Sequence, residues 1–279
     1  LIIAHTISLL RDFLDSAIQN GKSIGFVPTM GALHDGHKSL IELAKRNNDL
    51  VVGSIFVNPT QFNDPKDLLN YPRTPELDYA VLESAGCDLV FSPTVDEMYP
   101  DDQLLELNFG DLETVMEGQF RPGHFKGVAT VVSRLFNITT PTRAYFGEKD
   151  FQQLAVIREM NRRLQTGIEI VGCPTLREAD GLAMSSRNIH LNAEERKMAP
   201  LIYKALLFAQ NYVRSEELNN IKTEVKLMIE SFEGFKVQYL EFVHSETLQP
   251  ISKWQHQKSQ RACIAVLTSK TRLIDNVSL

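Results

Sequence analysis

Cysteine is scarce in this 279-residue chain, and the three present, Cys87, Cys173 and Cys263, are odd in number and far apart. That spacing excludes a disulfide framework and a zinc cluster, and it reads as three reduced, buried thiols. No apolar run reaches the length of a membrane span, and the first residues show no basic leader followed by a hydrophobic stretch. The expectation is a cytoplasmic protein with no membrane contact. Positive charge is not in excess: 29 Lys and Arg stand against 35 Asp and Glu, a net charge of −6, which argues against nucleic-acid partners. No internal repeat or low-complexity segment is present. Two common nucleotide signatures are also missing. There is no Gly-x-Gly-x-x-Gly fingerprint. Gly31 and Gly36 have the spacing of a P-loop, but His37 stands where the phosphate lysine should be, and Lys38-Ser39 come one residue late.

What is present is the balance of a globular enzyme, 43% hydrophobic and 23% charged residues. From residue 22 onward, strand-like and helix-like runs alternate. Ser23-Ile24-Gly25-Phe26-Val27, ended by Pro28, and Leu50 to Val57 read as strands, as do Asp88 to Phe91, Arg143 to Phe146 and Ile168 to Val171. Helical stretches Ser39 to Lys45, Pro75 to Ala85, Gly127 to Asn137 and Asp150 to Leu164 separate them. The alternation predicts an α/β fold, a Rossmann-like parallel sheet with helices on both faces, over residues 1–175. After Pro174 the pattern changes. Helical segments near Ala193 to Val213 and Glu216 to Phe232 come together, followed by strands Val237 to Val243 and Ala262 to Leu267, which predicts a smaller α+β domain over 176–279.

The chemistry gathers where strands end. Gly31-Ala32-Leu33-His34-Asp35-Gly36-His37 places two histidines around a glycine, between the first strand and its helix. At a helix N-terminus the unpaired N–H groups and the positive dipole end favour an anion, and Gly36 lets a phosphate approach the backbone. The simpler reading is a His-rich turn that caps the helix. After the second strand, Asn58 and Gln61 offer neutral donors and acceptors suited to a small polar substrate, or form a turn. Gly147-Glu148-Lys149-Asp150 puts a lysine at another strand-to-helix junction, where it can meet charge on a transferring phosphate; Asp150 could simply be an N-cap. Gln153 falls one turn further on. Met184-Ser185-Ser186-Arg187 adds two hydroxyls and a guanidinium, a phosphate grip or a polar loop. Arg121 and His124 are divided evenly between function and packing, and His5, His190, His244 and His256 read as structural.

The blocks Pro28 to His37, Phe56 to Phe62, Gly123 to Val132, Gly147 to Gln153 and Asp180 to Asn188 together resemble the pantoate–β-alanine ligase family, in its order and over essentially the whole chain. The first block is similar to the HIGH signature of nucleotidyltransferases and class I aminoacyl-tRNA synthetases, and Met184 to Arg187 to a variant of their KMSKS loop. The resemblance implies ATP-dependent joining of (R)-pantoate and β-alanine, giving pantothenate, AMP and pyrophosphate through a pantoyl adenylate. It further implies Mg²⁺, a C-terminal lid domain and a homodimer. Carried onto matching positions, Met30, Gly31, Ala32, Leu33, His34, Asp35, Gly36 and His37 would bind ATP, as would Gly147, Glu148, Lys149, Asp150, Leu176, Met184, Ser185, Ser186 and Arg187. Gln61 and Gln153 would hold pantoate, Gln61 also lying near β-alanine, and His37 would donate a proton. His34, Lys149 and Arg187 join it as the expected catalytic set; the metal ligands are unassigned. Leu176 replaces a frequent valine and His190 a frequent tyrosine, both peripheral changes. Two rivals use the same turn. Another His-x-Gly-His nucleotidyltransferase, acting on a phosphate ester, would need a basic acceptor pocket in place of the neutral amides. A nucleotide-binding regulatory module would bind ATP without releasing pyrophosphate.

Overall fold

The computed structural model describes residues 1–101, 104–256 and 259–279. The chain divides into two compact units, one of residues 1–148 and 153–174, the other of 149–152 and 175–279.

The first unit is built on a six-stranded parallel sheet. Its strands are β1 (Ile2–Ala4), β2 (Ile24–Thr29), β3 (Leu50–Ile55), β4 (Leu89–Phe91), β5 (Arg143–Gly147) and β6 (Glu169–Cys173), in the order β1-β4-β3-β2-β5-β6. Successive strand residues face opposite sides, so neighbours in sequence go to different cores. Phe26, Val52, Leu89 and Ala144 pack with the Ile7–Gln19, His124–Thr139 and Phe151–Leu164 helices, through Leu10, Leu14, Phe136 and Ile157. Val27, Val51, Val90 and Tyr145 pack on the other side, with Ile41 and Ala44 of helix Asp35–Asn47 and Leu82 of helix Pro75–Ser84. The sheet is therefore covered on both faces, as parallel sheets require.

Three features depart from the sequence expectation. β1 and the Ile7–Gln19 helix were not anticipated, because a three-residue edge strand has too few positions to show a period. β2 does not stop at Pro28 but runs through it to Thr29, paired to Ser54 and Ile55 of β3. Proline is tolerated there because the β2–β5 ladder reaches only Phe26, so Pro28 lies beyond it. The Ala193 to Val213 stretch is two helices, Ala193–Met198 and Leu201–Tyr212, interrupted at Pro200.

The second unit has an antiparallel sheet of β7 (Lys236–His244), β8 (Gln260–Leu267) and β9 (Arg272–Ser278). Helices Leu201–Tyr212 and Leu218–Glu230 bury Ile202, Leu206, Ile221 and Val225 in a core with Phe242, Ile264 and Val266. All three cysteines are free and buried. Burial pushes the Cys87 thiol up to about 12 and that of Cys173 to about 11, so both stay protonated. No helix among the described residues is long and apolar enough to cross a membrane.

Candidate active site

The strand order changes direction at β2, which pairs with β3 on one flank and β5 on the other. Beyond the carboxyl ends of the strands at such a switch point is where open α/β sheets bind ligands. The segments after β2 and β3 carry the histidine turn and Asn58 with Gln61, and β5 ends at Gly147 with Glu148 directly after it.

The histidine turn is a capping box made of imidazoles. His34 is the N-cap of helix Asp35–Asn47, and its Nδ1 accepts from the Gly36 N–H at 3.1 Å. Three residues on, His37 Nδ1 accepts from the His34 N–H at 3.3 Å. The two rings lie 4.1 Å apart, centroid to centroid. Capping and function are thus not alternatives here. The hydrogen-bond pattern assigns both Nδ1 atoms as acceptors, which places the proton of each neutral ring on Nε2. Both half-buried rings then offer an N–H donor at the positive end of the helix dipole.

Just before this cap the backbone is strained. Gly31 has φ 82°, and Ala32, which carries a Cβ, has φ 51°. A residue held there costs about 1–3 kcal/mol unless its surroundings enforce it. Asp78, 2% exposed, supplies the enforcement: its carboxylate accepts from Ala32 N–H at 3.0 Å and Leu33 N–H at 2.8 Å. A Cβ on Gly31 would sit 2.9 Å from the same carboxylate, which explains glycine at that position. Sequence reasoning missed Asp78, since nothing local links it to a turn 46 residues earlier.

Gln61 is fixed from two sides. Its Oε1 accepts from Asn58 Nδ2 at 3.0 Å, and its Nε2 lies 3.1 Å from Met30 Sδ. Behind it, His124 Nδ1 donates to the Gln61 carbonyl at 2.8 Å, while its Nε2 accepts from Arg121. His124 is therefore a neutral, buried strut. Asn58, expected among the substrate-binding residues, is buried with its amide hydrogen-bonded on both sides. It is 1% exposed, donates to Gln61 and Gly127, and accepts from Tyr99 Oη at 2.7 Å and Thr60 Oγ1 at 3.0 Å. Burial pushes the Tyr99 phenol up, so it remains a donor. Gln153 is half-buried in the first turn of helix Phe151–Leu164.

Within the second unit the structure brings Lys149 and the serine-arginine segment together. Lys149, Ser185 and Asn188 line a cavity of about 10 Å³, room for roughly one water molecule. The ammonium lies 3.8 Å from the half-exposed Asp150 carboxylate. Asp150 ends a 3₁₀ turn, Glu148–Asp150, that runs directly into helix Phe151–Leu164. Residues 176–184 form a tight hairpin, with Leu176 half-exposed at its start and a bridge between Arg177 and Ala183. Gly181 makes its turn at φ 98°. Ser185 then caps a 3₁₀ helix, Ser186–His190, through its Oγ and the Arg187 N–H.

A six-stranded parallel sheet with a His-x-Gly-His cap at the mouth of its central strand defines the class: an α/β enzyme that handles nucleotides. Comparison with known proteins narrows it. The pantoate-beta-alanine ligase family profile matches residues 2–278. The pantothenate synthetase of Phocaeicola vulgatus is 49% identical over 276 residues, covering 99% of this chain and 98% of the relative. That of Bacteroides thetaiotaomicron is 48% identical over 275 residues, with the same coverage. The crystal structure of pantothenate synthetase from Thermus thermophilus superposes with a TM-score of 0.92 at 45% identity, over 99% of both chains. The pantoate-beta-alanine ligase of Francisella tularensis, solved with beta-gamma ATP and beta-alanine, gives 0.82 at 38% identity, over 99% of this chain and 97% of the other. The chain belongs to the pantoate–β-alanine ligase family.

Proposed function

We infer that this chain condenses (R)-pantoate with β-alanine at the expense of ATP, through a pantoyl adenylate. The observation that carries the reading is the pairing of an imidazole-capped helix N-terminus with a neutral amide, Gln61, held rigidly by Asn58 and His124. The first suits phosphates; the second suits the hydroxyls and carboxylate of pantoate. A phosphate-ester acceptor would call for cations at Gln61, and the rival nucleotidyltransferase lacks that support.

In the first step a pantoate carboxylate oxygen attacks the α-phosphorus, an O–P bond forms, and the bond to the departing pyrophosphate breaks. Charge accumulates on the non-bridging oxygens and the leaving group. His34 and His37 donate from Nε2 toward it, and Lys149 and Arg187 supply fixed positive charge, so the chain contributes mainly positioning and electrostatics. By the family resemblance, Met30 to His37, Gly147 to Asp150, Leu176 and Met184 to Arg187 would bind ATP, and Gln61 and Gln153 would hold pantoate. In the second step the free amine of β-alanine attacks the acyl carbon. A C–N bond forms, AMP leaves, and the amine proton passes to solvent. The mixed anhydride must be kept from water meanwhile, which gives residues 176–279 a role as a lid.

Mg²⁺ commonly binds through one or two carboxylates plus substrate phosphates. Asp150, half-exposed and beside Lys149, is the carboxylate that would hold it. When bound, the ion neutralises phosphate charge and polarises phosphoryl oxygens. The working form we propose is a cytoplasmic homodimer, with turnover dependent on added Mg²⁺ and a sedimentation mass of twice the chain.

The test is pyrophosphate release with ATP, Mg²⁺ and (R)-pantoate alone, then with β-alanine. The reading predicts a burst of about one equivalent per site, becoming steady turnover when the amine is added. Release that ignores pantoate in both phases rejects it.

A further inference from the structure

Two consecutive polar residues of β9, Asp275 and Asn276, are each only 4% exposed, and the mechanism above uses neither. A buried carboxylate and a buried amide are costly unless their partners are well placed. Adjacent strand residues face opposite ways, so the two reach different segments. Asp275 takes a bidentate grip from Arg177, at 2.6 and 3.0 Å. Arg177 stands at the base of the hairpin that leads into Met184 to Arg187, and also donates to the Gly181 carbonyl at 3.2 Å. Its guanidinium carbon lies 3.6 Å from the Tyr203 ring centroid. On the other face, Asn276 Nδ2 donates to the backbone carbonyl of Lys149 at 3.0 Å, and its Oδ1 accepts from Arg261. Arg261 in turn covers the ring of Phe151, two residues after Lys149.

We propose that Asn276 is a positioning residue for Lys149, with β9 as the common frame that holds both Lys149 and the base of the Met184 to Arg187 segment. The proposal rests on the assignment of Lys149 to the ATP phosphates. A lysine is a point charge on a flexible four-carbon stem, so where its stem begins decides where its charge can be. Lys149 sits in a three-residue 3₁₀ turn, too short to fix itself. The directional amide bond from Asn276 fixes the carbonyl, and through it the start of the stem. A displacement of about 1 Å at a charge-stabilising group can cost on the order of 100-fold in rate.

The discriminating variant is Asn276→Asp. It keeps the shape of the side chain and an acceptor for Arg261, but turns the donor that faces the Lys149 carbonyl into a repelling oxygen. If Asn276 only fills space and pairs Arg261, kcat stays at the wild-type value. If it positions Lys149, kcat falls by about tenfold or more while KM for pantoate is unchanged, a loss within that misplacement cost. The companion measurement is a double-mutant cycle with Lys149→Ala. A residue acting through Lys149 has nothing further to lose in that background, so Asn276→Asp should leave the residual rate of Lys149→Ala unchanged. Wild-type kcat in Asn276→Asp, or multiplicative losses in the double variant, overturns the proposal. Wild-type turnover in Lys149→Ala alone removes the phosphate assignment of Lys149, and the proposal falls with it, an outcome distinct from the other two. Thermal melts of each variant confirm that the folded enzyme is being compared.

Discussion

At the residue scale, the site is a set of side chains whose reactive ends are oriented by bonds made at their other ends. His34 and His37 spend Nδ1 on the helix cap and keep the proton on Nε2. Replacing His37 or Lys149 by alanine should lower turnover at least ~100-fold with the fold intact, the scale for losing one charge-stabilising donor. Near wild-type turnover in both variants, measured by pyrophosphate release, would contradict the roles given to them. Asp78 acts one step further back. In Asp78→Ala the backbone donors of Ala32 and Leu33 lose a buried, charged acceptor, so the variant should be destabilised by about 1–3 kcal/mol. KM for ATP should rise as the strained turn relaxes. An unchanged melting temperature with unchanged KM would show that the turn holds itself. The histidines were legible in the sequence because their meaning is local: strand, glycine, cap and helix follow one another. Asp78 and His124 were not, because each acts on a loop 46 or 63 residues away in the chain.

At the element scale, helix His124–Thr139 supports the Gln61 turn by coming unusually close to it. A Cβ on Gly127 would meet the Thr60 carbonyl oxygen at 2.3 Å, an impossible contact with backbone rather than with a movable side chain. Two effects compete in Gly127→Ala. Helix propensity favours alanine by about 1 kcal/mol, but forcing the helix off the turn costs roughly 1–3 kcal/mol. The clash should win. Stability should fall, and KM for pantoate should rise as Gln61 shifts, with KM for ATP affected less; a more stable Gly127→Ala enzyme with normal pantoate kinetics would refute this packing argument. Strand legibility followed the same division between local and distant causes. β3 and β5 declare themselves by apolar, strand-forming runs. β9 was missed because Asp275 and Asn276 interrupt its apolar pattern, and their reason for being buried lies in Arg177 and Lys149.

At the scale of the whole molecule, the two units carry different groups. Residues 1–148 with 153–174 include the histidine cap and Gln61 with Asn58, and 149–152 with 175–279 include Lys149 and Arg187. The alternating parallel sheet and the smaller sheet-and-helix part that follows it were both readable from order and composition. The grouping of Lys149 to Gln152 with the second unit was not, because no sequence signal marks a four-residue segment that follows one sheet yet packs with another. The most direct test of the whole account follows oxygen. With (R)-pantoate labelled with ¹⁸O in its carboxylate, ATP, Mg²⁺ and β-alanine, adenylate formation makes a carboxylate oxygen the bridge to the α-phosphorus. Mass spectrometry of the products should find one labelled oxygen in AMP and none in pyrophosphate. Label in pyrophosphate or inorganic phosphate, or AMP without label, would contradict an adenylate route.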